Sequence, residues 1–191
     1  SPVSAFHTAM PFGCQNGDFL AFDTDTAAVT TLLQTHSAIV GVAGCDSDYV
    51  YAGSTNGAFY ATPLREDPSL PPWQLPITDS IITGITVYDG FAYFGGMATS
   101  KTTAMFTLDL QKAEQQSASV TIDQLQGKVG DTPFVDDTYI VFIDAGTGAG
   151  TLYAVERQLQ SVIDRITFSS QILPRDYAGP ASPKQAMFQM L

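Results

Sequence analysis

Residues 51–62 read YAGSTNGAFYAT, and residues 12–23 read FGCQNGDFLAFD. Both follow the pattern G-x-x-N-G-x-F-x-A. Gly13, Asn16, Gly17, Phe19 and Ala21 return as Gly53, Asn56, Gly57, Phe59 and Ala61, 40 residues later. Asn16 and Asn56 are the only asparagines in the chain. Asn-Gly between alternating apolar runs is a strong short-range hairpin signal, because a type I′ turn needs positive φ at both central residues. Each copy is therefore expected to be strand, type I′ turn, strand. Asn16, Gly17, Asn56 and Gly57 are read as structural turn residues.

Two weaker copies follow. In GFAYFGGMATSKTTAMFTLDLQ (90–111), Phe91, Tyr93 and Gly95 align with Tyr49, Tyr51 and Gly53, and Met105 and Thr107 take the places of Phe59 and Ala61. In TYIVFIDAGTGAGTLYAVERQL (138–159), Tyr139 and Val141 align with Tyr49 and Tyr51, and Leu152 and Ala154 with Phe59 and Ala61. An acid recurs after the third strand as Asp23, Asp109 and Glu156, with Pro63 the exception. These spacings give repeats of about 40 to 47 residues, the length of a four-stranded propeller blade. First strands are supplied by SPVSAF, AIVGVAG, IITGITVYDG and KVGDTPFVDD, and fourth strands by TTLLQT, PWQLPI, SASVTI and SVIDRITF. The expected fold is all-β, a propeller of four-stranded antiparallel blades at about 1–40, 41–82, 83–126 and 127–173, with 174–191 opening a fifth. LDLQKAEQQSA (108–118) is the best helix candidate, yet it falls where other units place a turn and a fourth strand.

Composition narrows the partners. The chain is 191 residues, 45% apolar and 11% aromatic, enough for a sizeable core. Net charge is −11, which argues against nucleic acid, whose phosphates need a basic footprint, and against anionic membrane surfaces. A strongly acidic surface keeps copies in solution. No apolar run approaches the roughly 18 residues of a membrane span, so no membrane insertion is expected. The start, SPVSAFHTAM, carries no basic segment followed by a long apolar core. The chain is expected to be a processed or partial product.

The stretch VYAGSTNGAFYATPLREDPSLPPWQL (50–75) resembles the repeat of quinoprotein-like (PQQ-like) β-propellers, roughly V-Y-x-G-S-x-x-G-x-L-Y-A-L-D, a spacer and a Trp. Val50, Tyr51, Gly53, Ser54, Gly57, Tyr60, Ala61 and Trp73 fit it. Gly13, Gly17, Ala21 and Asp23 fit in the first copy, and Leu152, Tyr153, Ala154 and Glu156 in the fourth. The resemblance implies that Trp73 docks against the next blade. It implies a ring of seven or eight blades, so the four units here would either be completed by another polypeptide segment or chain, or close on themselves as a small propeller. It also implies an extracellular, periplasmic or secretory-pathway compartment. Quinoprotein dehydrogenases of this kind hold a quinone, Ca²⁺, a catalytic Asp and a vicinal disulfide. This chain has no adjacent cysteines and one Trp, so no quinone cofactor and no catalytic residues are expected.

Other chemistry is sparse. Asp23 with Asp25, and Asp46 with Asp48, are pairs of alternating carboxylates that could offer oxygens to Ca²⁺. Neither continues as D-x-D-x-D-G with a distal Glu, so both are read first as turn residues bonding their own backbone. AGTGAGTL (145–152) runs into a strand and not a helix, so it is a hairpin loop and no phosphate cradle. Cys14 and Cys45 are the only cysteines, suited either to one disulfide between neighbouring blades or to two free thiols. With His7 and His36 they match no metal spacing. There is no G-x-S-x-G elbow. The strand aromatics, Tyr49, Tyr51, Phe59, Phe94 and Phe142 among them, are read as core.

The leading expectation is a non-catalytic module for protein–protein interaction or assembly. The alternatives are an extracellular or periplasmic enzyme or sensor with its site partly in missing blades, and a carbohydrate-binding module.

Overall fold

The computed structural model describes residues 9–64, 67–99, 102–114, 120–125, 129, 131–145, 150–158 and 161–167. Four antiparallel sheets follow one another along the chain. The first is β1 (Ala9–Gly13), β2 (Asp18–Asp23) and β3 (Val29–Gln34). The second is β4 (Gly44–Cys45), β5 (Tyr49–Gly53), β6 (Ala58–Pro63) and β7 (Trp73–Pro76). The third holds β8 (Ser80–Ile81), β9 (Thr86–Tyr88), β10 (Phe91–Thr99), β11 (Thr102–Asp109) and β12 (Val120–Leu125). The fourth is β13 (Phe134–Val135), β14 (Tyr139–Ala145), β15 (Gly150–Glu156) and β16 (Ser161–Thr167). The first strand expected from SPVSAF, the strand expected in 174–191 and the tip of the 145–152 loop lie outside the described residues.

The repeated hairpin is present, but its turn is not type I′. Gly17 and Gly57 have φ of 91° and 83°, while neither Asn16 nor Asn56 has positive φ. Gly17 N–H donates to Cys14 O (3.1 Å) and Cys14 N–H to Asp18 O (2.9 Å); Gly57 N–H donates to Ser54 O (3.0 Å) and Ser54 N–H to Ala58 O (3.1 Å). This is a three-residue loop, a turn followed by a left-handed glycine that forms a bulge. The asparagines serve by another route. Their side-chain oxygens accept the N–H two residues on, Asp18 at 3.2 Å and Ala58 at 3.0 Å, which a short amide reaches from the turn. A two-residue turn with both central φ positive does occur, at Asp89 (51°) and Gly90 (77°), inside the segment expected to be a plain first strand.

The helix candidate also resolves differently. Leu110–Glu114 forms a short helix, α1, with Asp109 capping Lys112 N–H at 3.1 Å and pairing with Lys112 Nζ at 3.0 Å. The fourth strand of that sheet, expected from SASVTI, is described over Val120–Leu125, and the residues of SASVTI before Val120 lie outside the described residues.

Every first strand after the first sheet is broken at the same place. Ile39 bridges Ser54 before β4, β8 and β9 both pair with β10, and Val129 bridges Asp144 before β13. The interruptions touch one another: Ile85 N–H donates to Val42 O (2.9 Å), and a Cβ on Gly41 would lie 2.1 Å from Gly84 N. Successive sheets also meet through β4 with β9 and β9 with β13. Successive sheets, or blades, are thus held side by side through their first strands.

Between blades lie three cores. Phe19 and Leu33 of the first sheet meet Val50 and Ala52 of the second. Tyr51, Phe59 and Ala61 of the second meet Ala92, Phe94 and Leu108 of the third. Tyr93 and Met105 of the third meet Ile140, Phe142 and Val155 of the fourth. Each sheet thus has a leading face, toward the sheet that follows, and a trailing face. One repeated device locks the joints. A Cβ on Gly13 would lie 2.2 Å from Ile39 Cγ2, on Gly53 2.4 Å from Ile81 Cγ2, and on Gly95 2.6 Å from Val129 Cβ. The repeat glycines leave room for the β-branched residue that begins the next blade.

Candidate interaction surface

The acidic pairs flagged in the sequence are used as turn caps. Asp46 Oδ1 accepts from the N–H groups of Asp48 and Tyr49, both at 2.8 Å, and its Oδ2 accepts the Tyr51 hydroxyl. Asp23 Oδ1 accepts from Asp25 and Thr26 N–H, both at 2.9 Å. Those backbone donors, Thr26 first, hold the Asp23 carboxyl below the usual carboxylate range. Asp136 repeats the Asp46 arrangement toward Thr138 and Tyr139 N–H (2.8 and 2.7 Å). Among the described residues no group of three or more His, Cys, Asp and Glu side chains is placed to hold a metal ion.

In this structure Cys14 and Cys45 are free thiols, Cys14 half-buried and Cys45 exposed. Partial desolvation, with the Asp46 carboxylate second, pushes the Cys45 thiol above its ordinary value. The thiolate is the nucleophile. In a Cys14→Ser background, Cys45 should therefore alkylate more slowly at mildly alkaline pH than the same residue in urea-unfolded chain, and Asp46→Asn should speed it. Equal rates folded and unfolded would refute this environment.

Trp73, on β7, packs inside the second blade. Its ring stacks on Phe59 (5.9 Å between centroids) and meets Tyr49 and Tyr51 at 6.2 and 6.1 Å. Phe59 then meets Phe94 of the third blade at 5.4 Å, so Trp73 backs that joint through Phe59. On its other side an open groove of about 600 Å³ runs between the first two blades, lined by Leu32, Leu33, Tyr60, Thr62, Trp73 and Gln74. At the joint of the third and fourth blades, Arg157 pairs with Asp89 (3.0 Å) and lies over Tyr88 (5.0 Å to the ring centroid). Tyr88 donates its hydroxyl to Asp137, and that bond raises the phenol's pKa.

The feature without an internal explanation is on the outward faces of the first and fourth sheets. On the trailing face of the first blade, Met10 is 62% exposed, Phe12 40% and Val29 58%. Pairing places Met10 beside Phe22 and Val29, and Phe12 beside Leu20, on one surface. On the leading face of the fourth blade, Tyr139 is 40% and Ile166 50% exposed, and Ile166 pairs with Leu152. Of these, Tyr139 is one of the strand aromatics that sequence reading placed with the core, and it is exposed instead. The signal was present in strands apolar on both faces, such as YIVFIDA, which read as covered on both sides. In the second blade Tyr49, Val50, Tyr51 and Ala52 are all buried, because both neighbours exist.

No family model and no curated protein matches the sequence. Solved structures do match its fold. The β-propeller domain of Cps50 (Swd1) from Myceliophteria thermophila aligns with TM-score 0.63 and 9% identity, over 87% of this chain and 57% of that one. BamB from Moraxella catarrhalis, which has PQQ-like repeats, aligns with TM-score 0.56 and 15% identity, over 83% and 47%. The WD40 domain of Toxoplasma gondii coronin aligns with TM-score 0.61 and 13% identity, over 87% and 44%. The chain spans about half the length of the structures it matches. The fold is a β-propeller fold.

Proposed function

We propose that this chain is an assembly module: a four-bladed part of a larger, seven- or eight-bladed propeller, completed by another polypeptide segment, that works by holding protein partners and not by catalysis. One observation carries the reading. The middle blades are covered on both faces, while Met10, Phe12 and Val29 on the first blade, and Tyr139 and Ile166 on the fourth, lie open to water. Apolar faces of this kind mark interaction sites. The blades then offer loops on a rigid frame, where propeller function generally resides. The net charge of −11 favours protein partners over nucleic acid.

The test is native mass spectrometry of the natural gene product isolated from its source. The expected result is a chain or tight complex of at least twice the 20.4 kDa of this sequence. A stable monomer of 20.4 kDa with both end faces accessible to exchange would end the proposal.

A further inference from the structure

We infer that the open end faces are the two halves of one further blade joint, and that a second copy of this chain supplies them, head to tail, in a two-chain ring. The inference rests on the assembly reading above and names the partner.

Repeat positions show why the faces match. On the leading face of the second blade stand Tyr51 and Phe59, and they seat on Phe94, Phe106 and Leu108, from the trailing face of the third blade. The fourth blade carries Val141 and Leu152 at the positions of Tyr51 and Phe59. The first blade carries Phe12, Leu20 and Phe22 at the positions of Phe94, Phe106 and Leu108. Leading face of one copy against trailing face of the other would therefore reproduce a joint the molecule already makes. A head-to-tail contact closes a ring when its rotation divides the circle. A chain that spans 57%, 47% and 44% of the propellers it overlays leaves room for about one more copy.

Ile143 adds to the apolar leading face of the fourth blade. In the first three blades the equivalent position is Gly13, Gly53 or Gly95, beneath the Ile or Val that begins the next blade. The fourth blade has Ile143 there, paired with Leu152.

The experiment uses the recombinant 191-residue chain in sedimentation velocity and native mass spectrometry across a concentration series. The expected species has twice the 20.4 kDa chain mass. Each copy carries −11, so raising salt toward the physiological Debye length of about 8 Å should tighten it. Met10→Asp and Ile166→Asp change the most exposed side chain of each open face. Each should weaken association roughly tenfold or more. Mixing the two variants should restore a dimer, because one joint then keeps both native faces; circular dichroism of each variant checks its fold. A wild-type chain monomeric at every concentration, or a dimer indifferent to either substitution, would overturn the inference. If the source material is still a larger complex, only the second-copy assignment falls. If it is monomeric too, the assembly reading falls with it.

Discussion

Gly57→Val is expected to abolish the native fold at ordinary temperature. Gly57 sits at φ 83°, where a β-branched residue is a strained outlier. Such strain alone costs about 1–3 kcal/mol. The larger cost is contact: a Cβ here would lie 1.7 Å from Thr78 O. The neighbouring backbone cannot retreat, because Gly57 O accepts both Ile77 and Thr78 N–H, at 3.0 and 3.2 Å. These bonds tie the hairpin tip to the chain crossing into the third blade. A clash with fixed backbone adds several kcal/mol to a fold whose whole stability is typically about 5–15 kcal/mol. Gly90→Asn is the control. Gly90 also has positive φ (77°), but a Cβ there meets nothing within 4 Å. It should cost less than about 1 kcal/mol, since Asn tolerates this region. Urea unfolding followed by circular dichroism measures both; a near-native midpoint for Gly57→Val would refute the turn geometry.

Phe59→Ala is expected to cost about 3–5 kcal/mol. The ring is fully buried and touches Tyr51 (5.4 Å), Trp73 (5.9 Å) and Phe94 (5.4 Å), so it joins the second and third blades at one point. Truncation leaves a cavity whose aromatic walls belong to two sheets and cannot both collapse inward. Repeat arrays are held by neighbour interfaces, so this variant should also broaden the melt or split it in two. Phe59→Leu keeps most of the volume and should cost less than about 1.5 kcal/mol. A single sharp transition within 1 kcal/mol of wild type for Phe59→Ala would mean that the joint is held elsewhere.

The sequence by itself determined the local pattern: two Asn-Gly hairpins 40 residues apart, two weaker copies, and strands alternating around them. These are legible because hairpin chemistry and period-two alternation act over a few residues. It also pointed to Asp23 and Asp46 as turn residues, since a short acid side chain in a turn reaches the backbone N–H groups two and three residues on. The tertiary structure decided the rest. The turn type depends on how Gly17 O and Gly57 O are gripped by chain bound for the next blade, and so does the left-handed glycine. Gly13, Gly53 and Gly95 look like hairpin punctuation in sequence; only packing shows that Ile39, Ile81 and Val129 need the space. The open faces were least legible of all. Met10 and Tyr139 read like any other strand residue, because a strand states which faces are apolar, while whether a face is covered depends on which sheet stands next to it.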